Sequence, residues 1–295
     1  VNPSFGSRLR SALDERGPLC VGIDPHAALL DAWGLPQSAE GVRAFGLTVV
    51  EAAAGRAGVV KPQVSFFERF GSRGFAALED VMSAARSAGL LVVADAKRGD
   101  IGTTMAGYAQ AWLEPGAPLE ADALTISPYL GGGSLTEAIT RALPVGKGVF
   151  VLAATSNPEG AAVQQARVAA EPAGPADETV ALRVTRDVTA LDAAGPALRA
   201  MDPSVRALGS VGLVVGATID RAAFALDDDT LRTVPLLAPG FGAQGAAPGD
   251  LRSRFGTLAG NVLASESRSI LSAGPDRIAA TIEERAARYQ EVMGG

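Results

Sequence analysis

The chain has 295 residues, 47% hydrophobic and 20% charged, with a net charge of −6; it is long enough to bury a full core, too apolar for disorder, and too acidic for a general nucleic-acid binder. One cysteine, Cys20, excludes an internal disulfide framework and a multi-cysteine zinc site, and one histidine, His26, argues against a His-rich metal centre or a Ser-His-Asp triad. There is no apolar run of about 18 residues and no apolar signal core in Val1–Arg10, so a cytoplasmic protein that does not engage a membrane is expected.

In chain order, an N-terminal helix is expected to precede eight short, near-continuously apolar runs flanked by Gly, Pro or charge. These are Leu19–Asp24, Val59–Lys61, Leu90–Asp95, Ala123–Ser127, Gly148–Ala154, Val211–Val215, Val234–Ala238 and Asn261–Ala264. Strands buried on both faces, as in a parallel sheet, read this way. Helices are predicted between them over Ala39–Ala54, Gly74–Ser87, Thr103–Trp112, Leu135–Leu143 and Ala222–Leu226. A C-terminal helix over Asp276–Met293 is the clearest, with Ile278, Ile282, Ala286 and Tyr289 spaced for one face. Strands alternating with helices predict an α/β fold, a single-domain (β/α)8 TIM barrel over 1–295, with a doubly wound open sheet as the rival. The stretch Thr155–Ser210 is too long for an ordinary connection and reads as an insert after the fifth strand, with Thr179–Leu198 helical.

Of 26 basic residues only three are lysines: Lys61, Lys97 and Lys147. Generic positive charge here is carried by arginine, so a lysine is a candidate for what arginine cannot do, which is to lose and regain a proton at accessible pH. The third strand runs into Asp95-Ala-Lys97-Arg-Gly-Asp100-Ile-Gly. Strand alternation puts Asp95 and Lys97 on one face and Ala96 on the other. A carboxylate and an ammonium then stand together at the carboxyl end of a buried strand, where barrel active sites lie. The carboxylate favours the charged lysine and desolvation opposes it, so Lys97 is suited to donate a proton. Taken alone, an Asp-x-Lys is more often a structural ion pair. Lys61 precedes Pro62, which has no N–H for a ladder and so ends the second strand near the same mouth.

Asp24 ends the first strand and is suited either to bind hydroxyl groups or to shape the turn before Pro25; His26 falls in the loop beyond, and Cys20 reads as core. Ser127 offers a hydroxyl at the fourth strand end, or closes a turn. The seventh strand runs into Pro239-Gly-Phe-Gly-Ala-Gln244-Gly, which contains G-x-G-x-x-G, and Glu266 follows the last glycine at the distance of a dinucleotide fingerprint. That reading fails because no Rossmann half remains downstream. The glycines fit better as a loop whose backbone N–H groups approach an anion. Arg268, after the eighth strand, would then sit at the usual phosphate site of such barrels with a guanidinium fork to offer.

Together these residues resemble the orotidine 5'-phosphate decarboxylase family, over a span from Asp24 to Arg268. Asp95-x-Lys97-x-x-Asp100 resembles its most specific signature. Lys61-Pro-Gln with Phe66-Phe67-Glu68, and Ala153-Ala-Thr155-Ser-Asn157-Pro, are similar to its longer bacterial branch (type 2), and the loop Pro239–Gly245 to its phosphate loop. The resemblance implies decarboxylation of orotidine 5'-phosphate (OMP) to UMP in de novo pyrimidine biosynthesis, with no metal or organic cofactor. It implies that Lys97 protonates C6 of the pyrimidine within a charged network with Asp95 and Lys61. It further implies a homodimer in which Asp100, Ile101 and Thr104 reach the partner's site. Asp24 would bind ribose hydroxyls, Ser127 and Gln244 the pyrimidine, and Arg268 with Gln244 the phosphate.

Three rivals stand beside this reading. A sugar-phosphate decarboxylase or hexulose-phosphate synthase shares the Asp-x-Lys-x-x-Asp pattern but uses magnesium, held by an acid where this chain has Lys61. A non-catalytic phosphate-binding barrel would not need two lysines facing two carboxylates. A Schiff-base aldolase needs a neutral Lys97, which Asp95 and Asp100 disfavour.

Overall fold

Each of the eight apolar runs forms a strand: β1 (Leu19–Ile23), β2 (Val59–Pro62), β3 (Leu91–Arg98), β4 (Ala123–Ile126), β5 (Gly148–Ala154), β6 (Val211–Val215), β7 (Leu236–Pro239) and β8 (Val262–Glu266). The computed structural model describes residues 3–169, 178–192 and 207–294. The strands pair in parallel in chain order, and β8 closes on β1 with Leu19 opposite Ala264. The closed (β/α)8 barrel replaces the open-sheet rival. Two strand ends differ from expectation for physical reasons. The expected seventh strand from Val234 instead starts at Leu236, after Pro235, which has no N–H to give a ladder. β3 continues past Asp95 to Arg98 through an irregular register against β4.

The helices Ala39–Ala53, Gly71–Ser87 and Gly102–Leu113 fill the expected intervals. The predicted helix Leu135–Leu143 is split into a 3₁₀ turn, Gly132–Leu135, and a short α-helix, Thr136–Ala142, and the predicted helix near Ala222 is only a 3₁₀ turn, Arg221–Phe224. The C-terminal helix, Ile278–Gly294, starts two residues late and buries Ile278, Ile282, Ala286 and Tyr289 as the spacing predicts. Within the stretch read as an insert, the amphipathic helix Val180–Thr189 buries Ala181, Leu182, Val184 and Val188 and packs on β5 and β6. That part is therefore the ordinary crossover helix of the fifth βα unit. The remainder of the predicted Thr179–Leu198 helix, from 193 on, lies outside the described residues.

The expected N-terminal helix, Phe5–Arg16, closes the bottom of the barrel. Phe5, Leu9 and Leu13 join inward-facing Cys20, Val59, Val93, Ala123, Phe150, Val214, Leu237 and Leu263 in an inner core. The fit is close: a Cβ on Gly148 would lie 2.3 Å from the Phe5 ring, and that ring stands edge-on to Phe150 with centroids 5.9 Å apart. Cys20 is fully buried, and burial above all pushes its thiol up to about 12. Lys147 belongs to the same bottom end, where its Nζ lies 2.6 Å from Glu120 Oε1 and 3.7 Å from Asp122 Oδ1. Asp122 also pairs with Arg8 and accepts the Val92 N–H at 2.9 Å. The third lysine is thus structural, far from the other two.

Candidate active site

Period-two alternation turns the inner core into a site within a single step along each strand. Val59 is followed on the inward face by Lys61, Val93 by Asp95, Ala123 by Thr125, and Leu263 by Ser265. The apolar floor therefore gives way to a polar mouth at the carboxyl ends of the strands. A cavity of about 460 Å³ opens there, walled by Asp24, Lys61, Asp95, Lys97, Gln244, Arg268 and the strand residues Leu152, Val214 and Leu237. Its size and mixed lining suit a small polar ligand.

Asp95 is the hub. Its Oδ2 lies 2.7 Å from Lys61 Nζ and its Oδ1 lies 2.5 Å from Lys97 Nζ. Lys61 and Asp95 are both buried, whereas the Lys97 side chain is 46% exposed and faces the cavity. Burial alone would raise the Asp95 carboxyl, but the two ammonium groups hold it well below the usual carboxylate range. Burial alone would lower Lys61, but the charges of Asp95 and Asp24 keep it well above the ordinary lysine value. The cluster is therefore a fixed array of alternating charge.

The two lysines meet Asp95 by different routes. Lys61 follows from strand alternation. Lys97 does not: its φ is +48°, in the left-handed region that a non-glycine residue rarely adopts. Among the described non-glycine residues only Ala225 shares that property with it. Thr125 holds the turn in place. Its hydroxyl accepts the Lys97 N–H at 2.9 Å and donates to Asp95 Oδ1 at 3.0 Å. Backbone strain at one cavity-lining cation, tied down by a neighbouring strand, makes Lys97 a candidate functional position. Gln63 adds a bond from Nε2 to the Asp95 carbonyl at 3.1 Å. Sequence reasoning passed over Thr125 and Gln63, although the inward position of Thr125, two residues after Ala123, was available as a signal.

The remaining expected residues fall into two groups. Asp24, Gln244 and Arg268 line the same cavity as Lys61, Asp95 and Lys97. Asp24 Oδ1 and Ser267 Oγ there are buried and have no hydrogen-bond partner, as befits groups that receive a ligand. Arg268 is exposed at the cavity edge, next to the loop after β7. That loop turns through Gly240, Gly242 and Gly245, all at positive φ, and the Gly242 N–H donates to the Ala246 carbonyl at 2.7 Å. The loop opens no βαβ unit, so the dinucleotide reading is set aside.

Asp100, Ile101, Thr104 and Ser127 do not line this cavity. Asp100 is half-buried, and its Oδ1 accepts the Ile101 N–H at 2.8 Å. Ile101 is 62% exposed, and Thr104 is exposed in the same loop-to-helix segment. Ser127 donates its N–H to the Arg98 carbonyl at 2.7 Å, which joins the loops after β3 and β4. Tyr129 and Leu130, in the second of these loops, are 82% and 55% exposed. His26 packs its ring on Phe66 at the cavity edge, with centroids 4.2 Å apart. Among the described residues, no three His, Cys, Asp or Glu side chains gather so as to hold a metal ion.

Fold and site define a (β/α)8-barrel enzyme built around a lysine–carboxylate array. The sequence profile of the orotidine 5'-phosphate decarboxylase / HUMPS family matches residues 17–281. The orotidine 5'-phosphate decarboxylase of Salinispora tropica is 52% identical over 276 residues, covering 94% of this chain and 92% of that protein. The Streptomyces coelicolor protein of the same name is 53% identical, covering 92% and 91%. A crystal structure from Streptomyces avermitilis, described as a candidate orotidine 5'-phosphate decarboxylase, superposes with a TM-score of 0.87 at 47% identity over 100% of this chain and 97% of that one. The chain belongs to the orotidine 5'-phosphate decarboxylase family.

Proposed function

We propose that this chain decarboxylates OMP to UMP and carbon dioxide without a metal or organic cofactor. The observation that carries the reading is the clasp of one buried carboxylate, Asp95, between Lys61 and Lys97 at the mouth of the barrel. In the reaction the C6–carboxylate bond breaks and its electron pair stays at C6. The ring cannot delocalise that charge well, so a preorganised cation aimed at it supplies the stabilisation. Lys97, exposed toward the cavity and linked to Asp95, is the proton donor to C6 and recovers its proton from solvent. Lys61, buried, fixes Asp95 from its other oxygen, and Asp95 in turn holds the Lys97 ammonium at the cavity. Each tenfold in rate needs about 1.4 kcal/mol, so a slow reaction needs several such contributions at once.

Asp24 is assigned to the ribose hydroxyls, and its unpartnered Oδ1 supports this. Gln244 and Arg268 are assigned to the phosphate, with Gln244 and Ser127 reading the pyrimidine; Ser127 reaches it only if the loop after β4 folds inward. Energy from phosphate binding can order these loops around the reacting end. A cytoplasmic homodimer with shared sites is proposed as well. The position of Asp100, Ile101 and Thr104 outside their own cavity, with Ile101, Tyr129 and Leu130 exposed on the loops after β3 and β4, supports a rim built for a second copy of the chain. Among the described residues no helix is long and apolar enough to cross a membrane.

The family also includes magnesium-dependent sugar-phosphate enzymes in its wider superfamily. Here the end of β2 carries the Lys61 ammonium, which repels a divalent ion where those enzymes need an acid. The spectrophotometric loss of OMP, with and without chelator, separates the readings. Equal rates in both conditions are expected; no loss of OMP, or a rate that collapses in chelator, overturns the proposal.

A further inference from the structure

Glu266, last residue of β8, is fully buried, yet it has no part in the charged array around Asp95. Its Oε1 accepts the Tyr289 hydroxyl at 2.8 Å, from the C-terminal helix. Its Oε2 accepts the Ser269 hydroxyl at 2.6 Å, with Arg285 Nε at 3.6 Å. Ser269 immediately follows Arg268, and Tyr289 presents its ring edge-on to Phe241 of the loop after β7, with centroids 5.8 Å apart. The loop itself is keyed to the same carboxylate. A Cβ on Gly242 would lie 2.2 Å from Ser269 Oγ and 2.8 Å from Glu266 Oε2.

We propose that Glu266 is a positioning residue for phosphate recognition, tying Tyr289, Ser269 and the glycine turn at Gly242 into one clasp that sets the loop after β7 and Arg268 for an anionic group. Packing alone does not account for it. A buried carboxylate carries a desolvation cost that an apolar side chain would not. What it adds is direction: two hydroxyl groups from different elements are drawn to fixed points. Burial and the Glu266 charge keep the Tyr289 phenol well above its ordinary value, so it stays a donor at all working pH. The clasp acts through Arg268 and the loop, not on the substrate.

The inference rests on the OMP reading, and its test separates the two. Tyr289→Phe removes one hydroxyl and keeps the ring on Phe241; Ser269→Ala removes the other. Both are assayed with OMP and with orotidine, the same nucleoside without phosphate, following uridine as product. For each variant kcat/KM on OMP is expected to fall about tenfold or more, mostly through KM, with orotidine turnover unchanged. A parallel fall with both substrates would mean a merely structural role, and no change with either would mean no role; each overturns the proposal. Failure of the unaltered protein to turn over OMP would instead overturn the parent reading.

Discussion

Replacing Asp95 by alanine removes an acid shared by two lysines, and the structure says which of them suffers. Lys61 and Asp95 side chains are 8% and 9% exposed and meet at 2.7 Å, while Lys97 is 46% exposed. Breaking a buried pair by deleting one partner costs about 3–5 kcal/mol, against about 0.2–1 kcal/mol for an exposed pair. Asp95→Ala is therefore expected to lose about 3–5 kcal/mol of folding stability, nearly all of it from the stranded Lys61 ammonium. The double variant Asp95→Ala with Lys61→Met removes the buried cation too and should recover most of that loss. Urea unfolding at fixed protomer concentration, followed by tryptophan fluorescence, measures both differences from the midpoint at unchanged slope. Because the chain has only three lysines, lysine carbon NMR offers a direct companion reading of Lys61. A loss under about 1 kcal/mol in Asp95→Ala would place the pair in the solvent-screened class. A double variant no more stable than the single one would also refute the reasoning.

Lys97→Ala should abolish OMP turnover with the fold intact, since its ion pair is half-exposed; near-normal kcat would remove its assigned role. Asp100→Asn mixed with Lys97→Ala should regain activity in hybrid dimers, which carry one site free of both changes; no recovery despite measured subunit exchange would contradict shared sites. The Asp95 carboxyl is lowered on folding, so its contribution is full above its unfolded value of about 3.9 and is lost as pH falls through the folded value. Lys61 is raised on folding, so its contribution is full below its unfolded value of about 10.4 and is lost as pH rises through the folded value. The stability difference between the unaltered protein and the Asp95→Ala/Lys61→Met variant should therefore stay flat between roughly pH 5 and pH 9; a slope across that window would contradict the assignment.

The barrel was legible because each strand is buried on both faces and so reads as a short apolar block between breakers. The C-terminal helix was legible because Ile278, Ile282, Ala286 and Tyr289 keep a helical period for three turns. Short helices such as Ala27–Ala32, Val64–Glu68 and Arg268–Leu271 went unread, since one turn gives no period to detect. The Asp95–Lys97 contact was expected from simple alternation, yet it depends on a left-handed residue held by Thr125, a long-range bond that local sequence does not encode. Glu266 drew notice only through a misleading spacing, because its partners Tyr289 and Arg285 arrive from a distant helix. Periodicity and spacing alone do not tell whether Asp100 serves its own cavity or another's, a reading that only the family resemblance implied; its place outside the cavity wall is a property of the closed barrel.

A crystal structure of this protein with UMP bound is the most direct test of the account. The account predicts C6 of the pyrimidine within about 3.5 Å of Lys97 Nζ, in reach of proton transfer. It also predicts the nucleotide phosphate against Arg268 and the loop after β7, and Asp100 of a second subunit entering the same cavity. A nucleotide bound with its ring away from Lys97, or a site completed by one chain alone, would contradict it.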